Sequence, residues 1–175
     1  MSAQGRYSSI STINHWVTAL LVVAMLTLGL TAGMAPTDAI EDYVLGVHIS
    51  LGFFALIFIA WRVVYRLYEG FPENIEKTAA ERWAAYIAHR AILILLVVMV
   101  TTGPLYLFTE NECMNVFGWF SVCLPLESLS IIHEPAELAH VVTGIYILPA
   151  LLMLHFIGAI RHYLNRKQVE TPADM

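Results

Sequence analysis

Charge is scarce in this chain. Asp, Glu, Lys and Arg make up 13% of its 175 residues, against 58% hydrophobic residues and a mean hydropathy of +0.68. Soluble domains carry roughly a quarter charged residues, so an ordinary soluble fold is excluded. Cysteine is rarer still. There are two, Cys113 and Cys123, with no CxxC pair and no spacing of the kind that holds zinc. Lysine and arginine are missing altogether from two stretches, APTDAIEDY (35–43) and TENECMNVFGWFSVCLPLESLSIIHEPAE (109–137). No repeat or low-complexity segment interrupts the chain, and no appended soluble domain is expected, so 1–175 reads as a single domain.

Apolar runs take up the space that charge leaves. Four of them stand out: Ile13–Met34, Val44–Tyr65 (its helix expected to continue to about 67), Tyr86–Phe108 and Leu138–Tyr163. Each is near the ~20 residues that carry an α-helix across a bilayer. Only helices and closed barrels satisfy their own backbone in lipid. The expected fold is therefore all-α, an integral membrane four-helix bundle. The first run, with Arg6 before it and TAGMA at its end, has the outline of a signal peptide. Its length and the pair His15–Trp16 argue for a retained helix instead.

The bases orient the bundle. All nine (Arg6, Arg62, Arg66, Lys77, Arg82, Arg90, Arg161, Arg166 and Lys167) fall near the N-terminus, around the second connection or near the C-terminus. With four spans these regions share one side, and the positive-inside rule puts both termini in the cytoplasm. The opposite side carries Asp38, Glu41, Asp42, Glu110, Glu112, Glu127, Glu134 and Glu137. With a net charge of −5, that acidic outer surface excludes nucleic acid as a partner and suits a cationic one. Both cysteines lie in the long outer connection. A disulfide closing a short loop and two unpaired thiols are both compatible with that position.

Seven histidines are present, and alternating topology converts their positions into depth. His15 opens the first helix on the cytoplasmic side and His48 opens the second on the outer side. His140 opens the fourth on the outer side. His155 lies fifteen residues further in (140 to 155), about 22 Å along the axis and roughly 60° around it. Two levels result, each with one histidine from the fourth helix: His48 with His140 outside, His15 with His155 inside. A buried imidazole in lipid needs compensation. Zinc would need three or four ligands per site, and no carboxylate or thiol stands at either level. A haem needs only two axial ligands, and the interior of a helix bundle is a usual cofactor site. Hydrogen bonding across helices is the alternative reading for any single one of these histidines.

Small residues fit the cofactor reading. Gly52 and Gly144 each follow a histidine by one turn, and Gly29 (fourteen residues after His15) reaches the outer level on helix one. Porphyrin needs such gaps between helices. Arg62, fourteen residues after His48, stands at the inner level on helix two. A cation there demands an anion, for which a haem propionate is the first candidate. Arg66, one turn on, has the same option or snorkels to head groups. Trp16 and Trp83 read as interfacial anchors. His89 has three open readings, beside a quinone head group, against a propionate or at the interface, while His133 and His162 read mainly as interfacial, with a quinone role for His162 the minority reading and His133 the less favoured substitute for His140.

The segments RYSSISTINHWVTALLV, GVHISLGFFALIFIAWRVVYRL, IAHRAILILLVVMVTTGPLY, VFGWFSVCLPL and LHFIGAIRHYLNRK resemble, in order and spacing, the bacterial cytochrome b561 family. The resemblance covers nearly the whole chain. It implies a four-helix cytochrome of the bacterial cell inner membrane with two haem b groups, each held by two histidines. By position these ligands are His15, His48, His140 and His155. It also implies exchange of electrons with ubiquinone or another quinone, and some members are similar to superoxide oxidases. Two departures stand out. The family usually spaces the helix-four histidines fourteen apart, against fifteen here, and Pro149 between them offers a bulge that would absorb one residue. The outer connections, acidic and without a base, have the wrong sign to gather superoxide.

The leading expectation is a di-haem relay between quinone and a periplasmic redox partner. One alternative is a haem-carrying subunit that wires a partner dehydrogenase or soluble cytochrome to quinone. A superoxide:quinone oxidoreductase is another, and a haem-free transporter or assembly factor is the last.

Overall fold

The computed structural model describes residues 8–70 and 78–169, with side chains through Leu164. Arg6, Tyr7 and Lys77, and the side chains of Arg166 and Lys167, which enter the orientation and the N-terminal motif, lie outside that description.

Four helical spans are present, each long and apolar enough to cross a membrane. The first three are α1 (Ser9–Ala32), α2 (Asp38–Glu69) and α3 (Ala79–Thr109). Their ends differ from the apolar runs because polar caps, not hydropathy, set where a helix starts. Ser8 caps α1, its hydroxyl accepting from Ser11 N–H at 3.1 Å while pairing with the Tyr65 hydroxyl at 2.8 Å. Asp38 and Glu41 occupy the first turn of α2, where the helix dipole favours acids. Gly70, at φ +77°, ends α2 in a conformation that side chains disfavour. Thr78 and Glu81 form a reciprocal capping box that starts α3 well before Tyr86.

The fourth span is continuous but not uniform. A 3₁₀ turn (Glu127–Ile132) leads into α4 (His133–Val142), then a π-helical turn (Thr143–Ile147), then α5 (Leu148–Val169). In the π turn Leu148 N–H reaches back five residues to the Thr143 carbonyl. Pro149 follows at once. It has no N–H to give the Ile145 carbonyl, and its ring crowds that group, so a wider turn is the local solution. One extra residue is absorbed there. The fifteen residues from His140 to His155 therefore advance about as fourteen would in a regular helix, which keeps both rings on one face.

The spans pack as α1 on α2 and α3 on the fourth span. A mid-membrane core joins them: Val22, Ala55, Ile59, Leu96 and Leu148. Only 11–17% of each span's most apolar window is buried, so the remaining apolar surface requires lipid to cover it.

The long outer connection is not a plain loop. β1 (Met114–Val116) and β2 (Phe120–Val122) pair antiparallel, Met114 opposite Val122 and Val116 opposite Phe120. A disulfide between Cys113 and Cys123 ties the base of this hairpin. No strand was expected here. A second core forms beneath it, from Phe108, Met114 and Val116 with Phe53 and Phe54 of α2.

If the π turn absorbs one residue, deleting Tyr146 together with Pro149→Ala should leave a regular helix in the same register. The expected result is an assembled protein melting within a few degrees of the parent in detergent. Deleting Leu152, in regular helix, turns everything beyond it by about 100° and should abolish assembly.

Candidate functional site

At the outer level α2 and α4 bring His48 and His140 together. Their ring centroids lie 6.2 Å apart with planes at 87°. The two rings are close enough that both imidazoles could hold one metal, which would supply a redox centre there. Their protonation pattern can be read as well. The Thr102 hydroxyl donates to the Val98 carbonyl at 2.7 Å, so its oxygen receives His140 Nδ1–H at 3.3 Å. That leaves His140 Nε2 with its lone pair, the form that binds a metal. His48 Nδ1 is buried without a complete hydrogen bond, and the Met25 backbone is its neighbour.

Close backbone approach makes room for these rings. A Cβ on Gly29 would stand 3.5 Å from His48 Cε1, and one on Gly103 would stand 2.9 Å from His140 Cε1. The second distance is not tolerated between a side chain and a ring, so only glycine fits at 103 while His140 stays put. Gly52 and Gly144, expected to open space, are faced by the methyl groups of Met25 (3.4 Å) and Met99 (3.1 Å). These are flexible side chains that can give way. Thr102, Gly103 and the two methionines escaped the sequence reading. The signal at 103 was the dipeptide Gly103–Pro104 inside a helix, a break that needs a packing reason.

The inner level is arranged differently. His155 packs its ring against His89 of α3, centroids 5.1 Å apart and planes at 79°. His15 is engaged by Arg62, whose Nη2 lies 3.0 Å from His15 Nδ1 while Nη1 donates to Asn14 Oδ1 at 3.4 Å. His155, His89 and Arg66 also lie within electrostatic range of His15, so four ionisable side chains surround it with Arg62. A guanidinium only donates, so His15 Nδ1 accepts and the ring proton sits on Nε2. Binding a metal through Nε2 needs the opposite tautomer. Ligation by His15 and this Arg62 contact therefore exclude each other, and a ligating His15 sends the guanidinium to another acceptor. In His89 the Nδ1–H donates to the Ala85 carbonyl at 2.7 Å, which fixes its tautomer.

The other candidates are placed clearly. Arg66 is buried and committed to the Ser11 hydroxyl (2.9 Å), the Gly70 carbonyl (3.0 Å) and Glu69 (3.7 Å). His133 sits at the outer end of α3, against Thr109 at 3.0 Å and Glu110 at 3.2 Å. His162 is exposed near the inner end of α5. Trp16 and Trp83 are exposed, as interfacial anchors are. Among the described residues no cluster of three or more His, Cys, Asp or Glu forms a metal site. The donor sets are imidazole pairs, which fit haem iron and not zinc.

The comparisons with known proteins agree with this chemistry. A family description, prokaryotic cytochrome b561, matches residues 6–172. The chain is also 25% identical over 163 residues to cytochrome b561 homolog 2 of Escherichia coli (strain K12), covering 92% of this chain and 87% of that protein. The chain belongs to the prokaryotic cytochrome b561 family and is a multi-pass membrane cytochrome of the b type, serving electron transfer.

Proposed function

We propose that this protein holds two haem b groups in the bacterial inner membrane and passes electrons between the quinone pool and a redox partner on the outer, acidic side. The observation that carries the reading is the pairing of imidazoles at two depths, His48 with His140 and His155 beside His15 and His89. In this assignment His48 and His140 hold the outer iron, His15 and His155 hold the inner one, and Arg62 leaves His15 for a propionate. Bound haem supplies a one-electron centre, and the residues around it do the rest. Thr102 holds His140 in the ligating tautomer. Gly29 and Gly103 keep both outer rings in place. His89, whose ring packs against His155, stands beside the inner pair where a quinol head group would meet it. The eight acids outside favour a cationic partner, such as a basic soluble cytochrome, over an anion such as superoxide.

One observation favours a second assignment of the inner ligands. His89 already faces His155 in the ligating tautomer, whereas His15 must first lose Arg62. In that reading His89 and His155 form the inner pair.

The central test is a reduced-minus-oxidised spectrum of the purified protein with haem quantified against protein, followed by turnover with a quinol and a basic cytochrome acceptor. A ratio near two haems per chain is expected; a ratio near one removes a level. Histidine variants then assign the ligands. His48→Ala and His140→Ala should lose one spectral component, and His15→Ala and His155→Ala the other. Loss of the inner component in His89→Ala, with His15→Ala intact, would transfer the ligand role to His89.

Gly103→Ala should disturb the outer component alone, because the added Cβ displaces the His140 ring. A shifted or diminished outer band with an unchanged inner one is the expected spectrum.

Arg62→Leu should keep bis-histidine ligation but lower the inner haem's reduction potential, on the order of 50 mV for a unit charge lost several ångströms away. The sign follows because a lost cation favours the oxidised, more positive iron. An unchanged potential in a redox titration would remove Arg62 from the inner site.

A further inference from the structure

We infer that the disulfide-tied hairpin, residues 113–123, is a re-entrant element whose tip Phe117–Gly118–Trp119 is seated in the outer leaflet of the bilayer.

Depth comes from the helices themselves. His48 lies level with Gly29 of α1, and His140 with Gly103 of α3. The apolar runs of α1 and α3 end five residues further out, at Met34 and Phe108, or about 7.5 Å along the axis. The hairpin tip is bound to Ser50, two residues deeper on α2 than His48. The tip therefore stands about 10 Å below the outer ends of two neighbouring spans. Its rings go deeper still: Phe120 packs on Phe53 at 5.4 Å and Phe117 on Phe54 at 6.4 Å.

A non-helical segment at that depth needs partners for its backbone, and the tip finds them for its N–H groups. Phe117 N–H donates to the buried Ser50 hydroxyl at 3.1 Å. Gly118 N–H donates to Asn115 Oδ1 at 2.7 Å, and Trp119 N–H to the Val116 carbonyl at 2.9 Å. The Asn115 carbonyl accepts from Ser50 at 2.8 Å. All three tip amides are paired within the protein, where a turn in water would leave some to the solvent.

Side chains at the tip match lipid rather than water. Phe117, Trp119 and Phe120 are 45%, 72% and 45% exposed. Phe117 and Gly118 both have positive φ, 51° and 73°. From Cys113 to Leu126 no residue is charged, while Glu112 and Glu127 flank the stretch. Trp119 would be an interfacial anchor like those of the other leaflet.

Trp119 is the one tryptophan on the outer side; the others are Trp16, Trp61 and Trp83. A variant with those three changed to Phe, reconstituted in phosphatidylcholine vesicles, isolates its fluorescence. Lipids carrying a nitroxide high on the acyl chain should quench it several-fold more than external iodide does. Quenching by iodide and not by labelled lipid would overturn the proposal, with the tip in water. Quenching by neither would also overturn it, with the tip covered by protein or by a second copy. Hydrogen exchange of the unsubstituted protein in lipid nanodiscs gives an independent reading. The amides of Phe117, Gly118 and Trp119 should exchange far more slowly than those of an open loop, and free exchange would refute the seating. Ser50→Ala should speed exchange at Phe117 selectively, since only that amide loses its acceptor.

Discussion

Lipid cannot solvate a polar group, and every feature of this protein that is not a plain apolar helix answers to that fact. Arg66 is buried at the inner end of α2 and is held by a hydroxyl, a carbonyl and a carboxylate at once. Ser50 is buried in the outer half of the same helix, where its one hydroxyl proton is shared between the Gly46 and Asn115 carbonyls and its oxygen accepts from Phe117 N–H. The histidines fall under the same rule. An imidazole has two nitrogens, and a helix supplies a partner for one of them: Ala85 for His89, Thr102 for His140. The other nitrogen of each then carries a lone pair, the form in which a haem iron would take it.

The two levels differ in charge, which gives the bundle a polarity. Around His48 and His140 stand glycine, threonine and methionine, all neutral. Around His15 and His155 stand Arg62 and Arg66. On the proposed assignment, cations on the inner side stabilise an added electron there more than at the outer level. That gradient favours electrons resting toward the cytoplasmic face, beside His89. The acids outside strengthen the same bias.

Hydropathy and lysine–arginine placement were enough to read the four spans, because lipid imposes a length and a composition that no local packing overrides. Their ends were not readable that way. Ser8, Thr78 and Asp38 decide them, through hydrogen bonds that hydropathy does not register. The histidine levels were legible for the same reason as the spans, since depth follows from residue number. Azimuth does not. Counting along the chain put His15 and His155 at one depth but could not tell that His89 would face His155 or that Arg62 would take His15. The hairpin was missed because its nine residues, MNVFGWFSV, are too short and too aromatic to separate from apolar loop, and its register depends on Ser50, more than sixty residues earlier. The disulfide was one of two open readings for the same reason.

The fourth span shows how a chain keeps a constraint while changing its count. An extra residue between two ligating positions turns one of them by about 100°, from about 40° on one side of the other to about 60° on the opposite side. Here the extra residue and the means of absorbing it occupy the same stretch. Pro149 forbids the regular hydrogen bond to Ile145, the helix widens over Thr143–Ile147, and the surplus residue is taken up before His155 is reached. Gly144 lies within that turn, where Met99 approaches to 3.1 Å of its missing Cβ. The widened turn and the close approach of α3 thus fall between the two histidine levels, beside the core residue Leu148. Neither the proline nor the spacing is intelligible alone. Together they keep His140 and His155 on one face of the bundle, the condition for any cofactor pair built on this helix.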